Sequence, residues 1–74
     1  MKNLKNILDV FVERVQDVML IKNWNIKQLA EFVGIPRTTV NSWILKKRVP
    51  RIDYIYTIAD ALDVSIDYLV GKED

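Results

Sequence analysis

Five cationic side chains between Glu31 and Asp53 are the residues of this chain best suited to a chemical role. That stretch contains no acidic residue, and its basic residues are Arg37, Lys46, Lys47, Arg48 and Arg51. It therefore carries a charge of +5, and because the net charge of the chain is +1, the remainder carries −4. A basic patch on an acidic body is typical of a surface that binds phosphate groups. A solvated basic loop is the alternative interpretation.

Residue types that support catalysis or metal binding are scarce. The chain has no His and no Cys, no glycine-rich phosphate loop, and only Ser42 and Ser65 as serines. Its ten carboxylates are scattered without a paired or metal-ligand spacing. We therefore expect no enzyme, no metal site and no cofactor, and nothing indicates a small-molecule ligand.

The composition predicts one folded domain over residues 1–74. Half of the residues are apolar, and there are only two glycines and two prolines. Lys2 and Lys5 precede Asp9 and Glu13, so the start of the chain fits neither a signal peptide nor a membrane span. A chain without cysteine can form no disulfides, so we expect helix packing alone to stabilise it. The lack of cysteine also suits a reducing compartment, and we expect a cytoplasmic protein.

Helices must position the basic side chains. Apolar residues at three- and four-residue steps predict a first helix from Leu4 to Lys22. Its stripe consists of Leu4, Ile7, Leu8, Phe11, Val15, Val18 and Met19. Asn25 and Gln28 have the spacing of a capping box, which predicts a second helix that ends at Val33.

A glycine and a proline separate the second helix from the third. Gly34 follows the second helix directly and is suited to the positive φ that ends a helix. Pro36 suits a first helical turn, so the third helix is predicted from about Pro36 to Leu45. Its inward residues would be Val40, Trp43 and Ile44.

Two further helices follow a basic loop at residues 46–50. An apolar stripe predicts the fourth helix, and its members are Ile52, Ile55, Ile58, Ala59 and Leu62. Ser65 can cap a short fifth helix, which Gly71 would close. The prediction is an all-α, compact five-helix bundle.

The second and third helices have the spacing of a helix-turn-helix. That motif needs a small residue where its helices approach, a turn residue four positions later, and apolar residues behind the second helix. Ala30 is the small residue, Gly34 the turn, and Ile35 a buried turn residue. Val40 and Trp43 would pin the second helix of the motif from behind.

Over roughly residues 14–70 the sequence resembles the phage-repressor (lambda-repressor-like, XRE) helix-turn-helix family. The matching segments are QLAEFVGI at 28–35, TVNSW at 39–43, Pro50, and IADALDVSIDYL at 58–69. The resemblance implies a lambda-repressor-like bundle that binds double-stranded operator DNA, usually as a dimer, to regulate transcription. We expect a phage-type repressor domain, self-associating weakly, that is either whole or the N-terminal part of a longer repressor.

The resemblance also assigns roles to residues. The start of the third helix would face base edges, with Arg37, Thr38, Asn41 and Ser42 as base readers. Arg can bond guanine, Asn can bond adenine, and the Thr methyl can contact a thymine methyl. Phosphate contacts are expected from Asn25, Thr39, Lys46, Lys47 and Arg48. For Asn25, a purely structural cap is an equally open interpretation.

The chain departs from the family pattern at three places. Ile26 replaces a Gln that supports DNA contacts, so that contact is expected to be absent. Leu45 and Lys46 replace an Asn-Gly pair, so the resemblance leaves the geometry of that loop open. Met19 and Ile44 replace an Arg–Glu pair, and we expect them to touch, since an ion pair exchanged as a unit for apolar residues can be neutral or stabilising.

A rival function is a protein-interaction module of the same fold, such as an antitoxin or a co-regulator. It would need an exposed apolar patch. The apolar residues expected to exceed what one small core can bury are Val10, Val12, Leu20, Ile21 and Val70. The basic cluster from Lys46 to Arg51 favours DNA as the partner, because binding to a protein alone would not require it.

Overall fold

Five helices form the part of the chain that the computed structural model describes, which is residues 4–72, with side chains from residue 7 onward. They are α1 (Leu4–Lys22), α2 (Ile26–Val33), α3 (Arg37–Ile44), α4 (Ile52–Leu62) and α5 (Ile66–Val70). The prediction of an all-helical five-helix fold is confirmed. Lys2 and the side chains of Leu4 and Lys5 lie outside the described part. None of the described helices is both long enough and apolar enough to cross a bilayer.

Side-chain caps set the starts of α2 and α5. The Asn25 side chain accepts a hydrogen bond from the Gln28 backbone N–H at 2.8 Å, and the Gln28 side chain accepts one from the Asn25 N–H at 2.9 Å. The Ser65 hydroxyl accepts from the Tyr68 N–H at 2.9 Å. Each cap satisfies a backbone donor that the helix itself leaves unpaired. Both helices therefore begin where the sequence predicts.

All five helices contribute to one apolar core. The buried apolar residues are Phe11, Val12, Val15, Val18, Leu29, Ala30, Val33, Ile35, Val40, Trp43, Ile55, Ile58, Ala59, Leu62 and Leu69. At its centre the rings of Phe11 and Trp43 meet edge to face, with centroids 6.0 Å apart. Because α1 contacts both α3 and α5, it buries a broad face. This breadth explains why Val12, predicted as surplus, is only 3% exposed.

Ile52 differs from the sequence prediction. It fits the apolar stripe of α4 but is 69% exposed, whereas Ile55, one turn later, is buried. Ile52 is the first residue of α4, where the helix has not yet reached the core. Ile44, predicted to face inward, is half-buried and packs against the core. Trp24 is likewise half-buried against the core, and its ring centroid lies 4.8 Å from that of Phe32.

Candidate nucleic-acid interface

The turn between α2 and α3 has the geometry of a helix-turn-helix. Gly34 ends α2 at a φ of 76°, and the N–H groups of Gly34 and Ile35 both donate to the carbonyl of Ala30, at 2.9 and 3.2 Å. Ala30 and Ile35 are buried, as are Val40 and Trp43 on the back of α3. The predicted role of each of these residues in the motif is confirmed, and the opposite face of α3 is left outward.

The outward face of α3 brings three of the predicted base readers together. Arg37 and Thr38 are exposed, and Asn41 is half-buried one turn further along. These three side chains and Ile26 line one hollow of about 360 Å³. A guanidinium, a hydroxyl and an amide therefore converge on the same space in front of α3.

The fourth predicted reader, Ser42, lies in a neighbouring hollow of about 290 Å³ with Thr38, Thr39 and Arg48. Its hydroxyl donates to the Thr39 carbonyl at 2.6 Å. The hydrogen of that hydroxyl is thus engaged within α3, and the oxygen is left to accept from a base amino group. Thr39 and Arg48, predicted to bind phosphate, lie beside it.

Lys46 ends α3 in a conformation that usually favours glycine. Its φ is 59°, its N–H donates to the Trp43 carbonyl at 2.8 Å, and the Lys47 N–H donates to the Ser42 carbonyl at 2.8 Å. These two bonds form a Schellman motif with lysine at the left-handed position. The Lys46 ammonium lies 2.9 Å from Asp9 of α1. Lys46 therefore ties the end of the helix to α1.

The other four cations between Glu31 and Asp53 divide into two groups. Arg51 lies 3.0 Å from Asp53 and 5.7 Å from the centre of the Tyr54 ring. Arg37, Lys47 and Arg48 are exposed and take part in neither of the ion pairs found among the described residues. Arg37 lies on the outward face at the start of α3, and Lys47 and Arg48 follow the end of that helix.

The structure adds detail to the roles predicted for Asn25 and Ile26. The Asn25 side chain is engaged as the cap of α2, which is the structural alternative left open for it. Ile26, where the sequence predicts the loss of a contact, lies beside the predicted base readers Arg37, Thr38 and Asn41. The one sequence signal for this location is the resemblance to a family that has, at position 26, a Gln that supports DNA contacts.

The left-handed backbone of Lys46 leads to a stability prediction. Lys46→Gly should be more stable than Lys46→Ala by about 1–2 kcal/mol, because both variants lose the ion pair with Asp9 and only glycine removes the steric cost of the positive φ. The ion pair is half-exposed and worth at most about 1 kcal/mol. Urea denaturation of the two variants measures the difference. Equal midpoints would contradict the backbone conformation at Lys46.

Comparison with known proteins gives a consistent match. Residues 16–69 match the family model described as Helix-turn-helix. The chain is 26% identical over 65 residues to the uncharacterized HTH-type transcriptional regulator YobD, and 27% identical over 62 residues to the HTH-type transcriptional regulator AnsR, both of Bacillus subtilis (strain 168). These alignments cover 88% and 84% of this chain but only 58% and 53% of the two relatives.

A solved structure has the same fold. The crystal structure of the hypothetical transcription factor NHTF from Neisseria superposes with a TM-score of 0.81, covering 95% of this chain and 80% of that one, at 23% identity. At that identity the likeness concerns the fold alone.

Proposed function

This chain belongs to the XRE-type helix-turn-helix family of DNA-binding transcriptional regulators, a non-enzymatic family, and we propose that it binds double-stranded operator DNA sequence-specifically as a phage-type repressor. In this proposal α3 enters the major groove. Arg37, Thr38, Asn41 and Ser42 read base edges.

The observation that carries the proposal is the polar outward face of α3, which begins with one exposed cation and is followed by two more. The major groove of B-DNA is about 12 Å wide and admits one helix, whose flanks then meet the two phosphate backbones. Arg37 is the first residue of this face, and Lys47 and Arg48 follow the end of α3. That arrangement supports base reading along the helix and phosphate binding beyond it.

Phosphate contacts in this proposal come from side chains around the readers. Thr39 and Arg48 share a hollow with Ser42, and Lys47 lies just past the end of α3. Lys46 can reach phosphate by exchanging its half-exposed pair with Asp9 for a DNA oxygen. Asn25 caps α2 through its side-chain oxygen, which leaves the positive end of that helix to attract phosphate.

We also propose weak self-association on DNA, because one such motif contacts few bases. Two copies would occupy half-sites about one helical turn, roughly 34–36 Å, apart. Leu20 and Ile21 are 79% and 84% exposed and supply the apolar surface predicted from the sequence. The same exposed apolar residues favour a second candidate function, a protein-interaction module. Undetectable DNA binding at low salt would support that function over DNA binding.

The test begins with selection of bound sites from random duplex DNA and compares Arg37→Ala with Lys47→Ala on the winner. Arg37→Ala should cost about 1–3 kcal/mol and relax preference at one base pair, because its planar fork meets two guanine acceptors at once. Lys47→Ala should weaken good and poor sites alike, because an ammonium on phosphate senses no base identity.

Salt titration distinguishes the same two variants. Affinity should fall with salt at a log–log slope of about −0.9 for each phosphate neutralised, and Lys47→Ala should reduce that slope by about one unit. A change in base preference for Lys47→Ala but none for Arg37→Ala would contradict this docking of α3. Affinity that stays flat from low to moderate salt would contradict the phosphate contacts. Selected sites with two-fold symmetry are expected if two copies bind.

A further inference from the structure

Ile26 is the apolar member of an otherwise polar hollow in front of α3. It is the first residue of α2, held there by the capping box of Asn25, and part of its side chain packs against the core. The rest lines the hollow that Arg37, Thr38 and Asn41 share. A β-branched side chain with one face packed has few rotamers left, so its exposed methyl groups have a nearly fixed position.

The chemistry of Ile26 limits what it can recognise. Its side chain can neither donate nor accept a hydrogen bond, so it gains nothing from phosphate oxygens or from the polar edges of bases. The C5-methyl group of a pyrimidine is the apolar feature that a base pair presents in the major groove, and it occurs on thymine. The same methyl group occurs on 5-methylcytosine.

We propose that Ile26 recognises a pyrimidine C5-methyl group, that of a thymine beside the base pairs contacted by Arg37 and Asn41. This inference rests on the proposed docking of α3 in the major groove. Contact with the methyl group removes apolar surface of both partners from water. It makes α2, and not only α3, a source of sequence specificity.

The test replaces each thymine of the selected site with uracil, which removes only the C5-methyl group. With the wild-type chain, uracil at one thymine per half-site should raise Kd about fourfold, the effect of one methyl group's burial. With Ile26→Ala the same replacement should leave Kd unchanged. The response to uracil at every other thymine should be the same in both proteins.

Matched variants distinguish the effect of Ile26 from that of Thr38 and from a loss of folding. Thr38→Ser removes the only other methyl group among the side chains that line the hollow, and it should leave the Ile26-dependent response intact. Ile26→Val should keep most of that response. Thermal denaturation by circular dichroism sets a temperature at which every variant is folded, so that a Kd change reports on binding.

Cytosine placed at the sensitive position distinguishes methyl recognition from recognition of other thymine atoms. The wild-type chain should bind 5-methylcytosine there more tightly than cytosine, and Ile26→Ala should bind the two equally. Uracil effects that Ile26→Ala leaves unaltered at every thymine would overturn the inference while the proposed function stands, provided Arg37→Ala still relaxes base preference. Absence of any sequence-specific binding would overturn both.

Discussion

Phe11→Ala should lower the free energy of unfolding by about 3–5 kcal/mol, the range for removing a buried aromatic ring. Phe11 is 1% exposed, and its ring meets that of Trp43 edge to face. The loss would leave a cavity directly behind α3, the proposed recognition helix. A 74-residue domain has a total stability of roughly 4–11 kcal/mol, so this one change could remove most of it.

The measurement is thermal denaturation followed by near-ultraviolet circular dichroism, which reports on the packing of Trp43. At about 4–8 °C per kcal/mol, the melting temperature should fall by roughly 12–40 °C. Tyr56→Ala is the control, because Tyr56 is an aromatic residue that is 62% exposed, and its removal should change stability by less than about 0.5 kcal/mol. Similar losses in the two variants would contradict a core centred on Phe11.

The helix boundaries could be predicted from the sequence because local chemistry sets them. The capping box of Asn25 and Gln28 and the cap of Ser65 depend on residues three positions apart. Such contacts need no knowledge of the tertiary fold. Pro36 shows the limit of this reasoning, since it serves as the N-cap of α3 and the helix proper begins at Arg37.

Burial was harder to predict, because it depends on which helices meet. Val12 is buried since α1 is covered on two sides, and no periodicity within α1 reveals that. Ile52 fits the stripe of α4 but lies at the helix start, outside the core. The pairing of Lys46 with Asp9 joins residues 37 positions apart, and only the fold brings them together.

The candidate site likewise contains residues whose positions the sequence predicts and one whose position it does not. The outward face of α3 followed from the helix-turn-helix spacing, which places Arg37 and Thr38 opposite the buried Val40 and Trp43. The location of Ile26 among the predicted readers did not follow, because it depends on how α2 and α3 pack. The proposed specificity from α2 is thus a property of the packed motif and not of either helix alone.

Ile44→Glu should lower the free energy of unfolding by roughly 2–4 kcal/mol, somewhat less than the ~3–5 kcal/mol expected for stranding a fully buried charge, because Ile44 is half-buried. Ile44 lies on the side of α3 that packs against α1, and it lines a hollow of about 520 Å³ with Asp9, Glu13, Gln16 and Lys46 among its neighbours. A new carboxylate there would lose apolar contacts and face Asp9 and Glu13, while the Lys46 ammonium in the same hollow is already paired with Asp9 at 2.9 Å.

Met19→Arg should recover part of that loss in the double variant, because Met19 and Ile44 stand where the resembling family places an Arg–Glu pair. Gln16 lines both the hollow beside Ile44 and the one beside Met19, so the two positions adjoin the same stretch of α1. A double-mutant cycle by urea denaturation should give a favourable coupling of about 1–3 kcal/mol.

Leu20→Arg is the matched control for this rescue, since Leu20 neighbours Met19 in sequence but is 79% exposed. An arginine there adds the same charge to the same helix without reaching the interface between α1 and α3. Combined with Ile44→Glu it should recover less than about 0.5 kcal/mol, the size of a long-range surface charge effect. Equal recovery by Met19→Arg and Leu20→Arg would indicate that net charge, and not a specific pair, offsets the carboxylate. No recovery by Met19→Arg would refute the predicted contact between Met19 and Ile44.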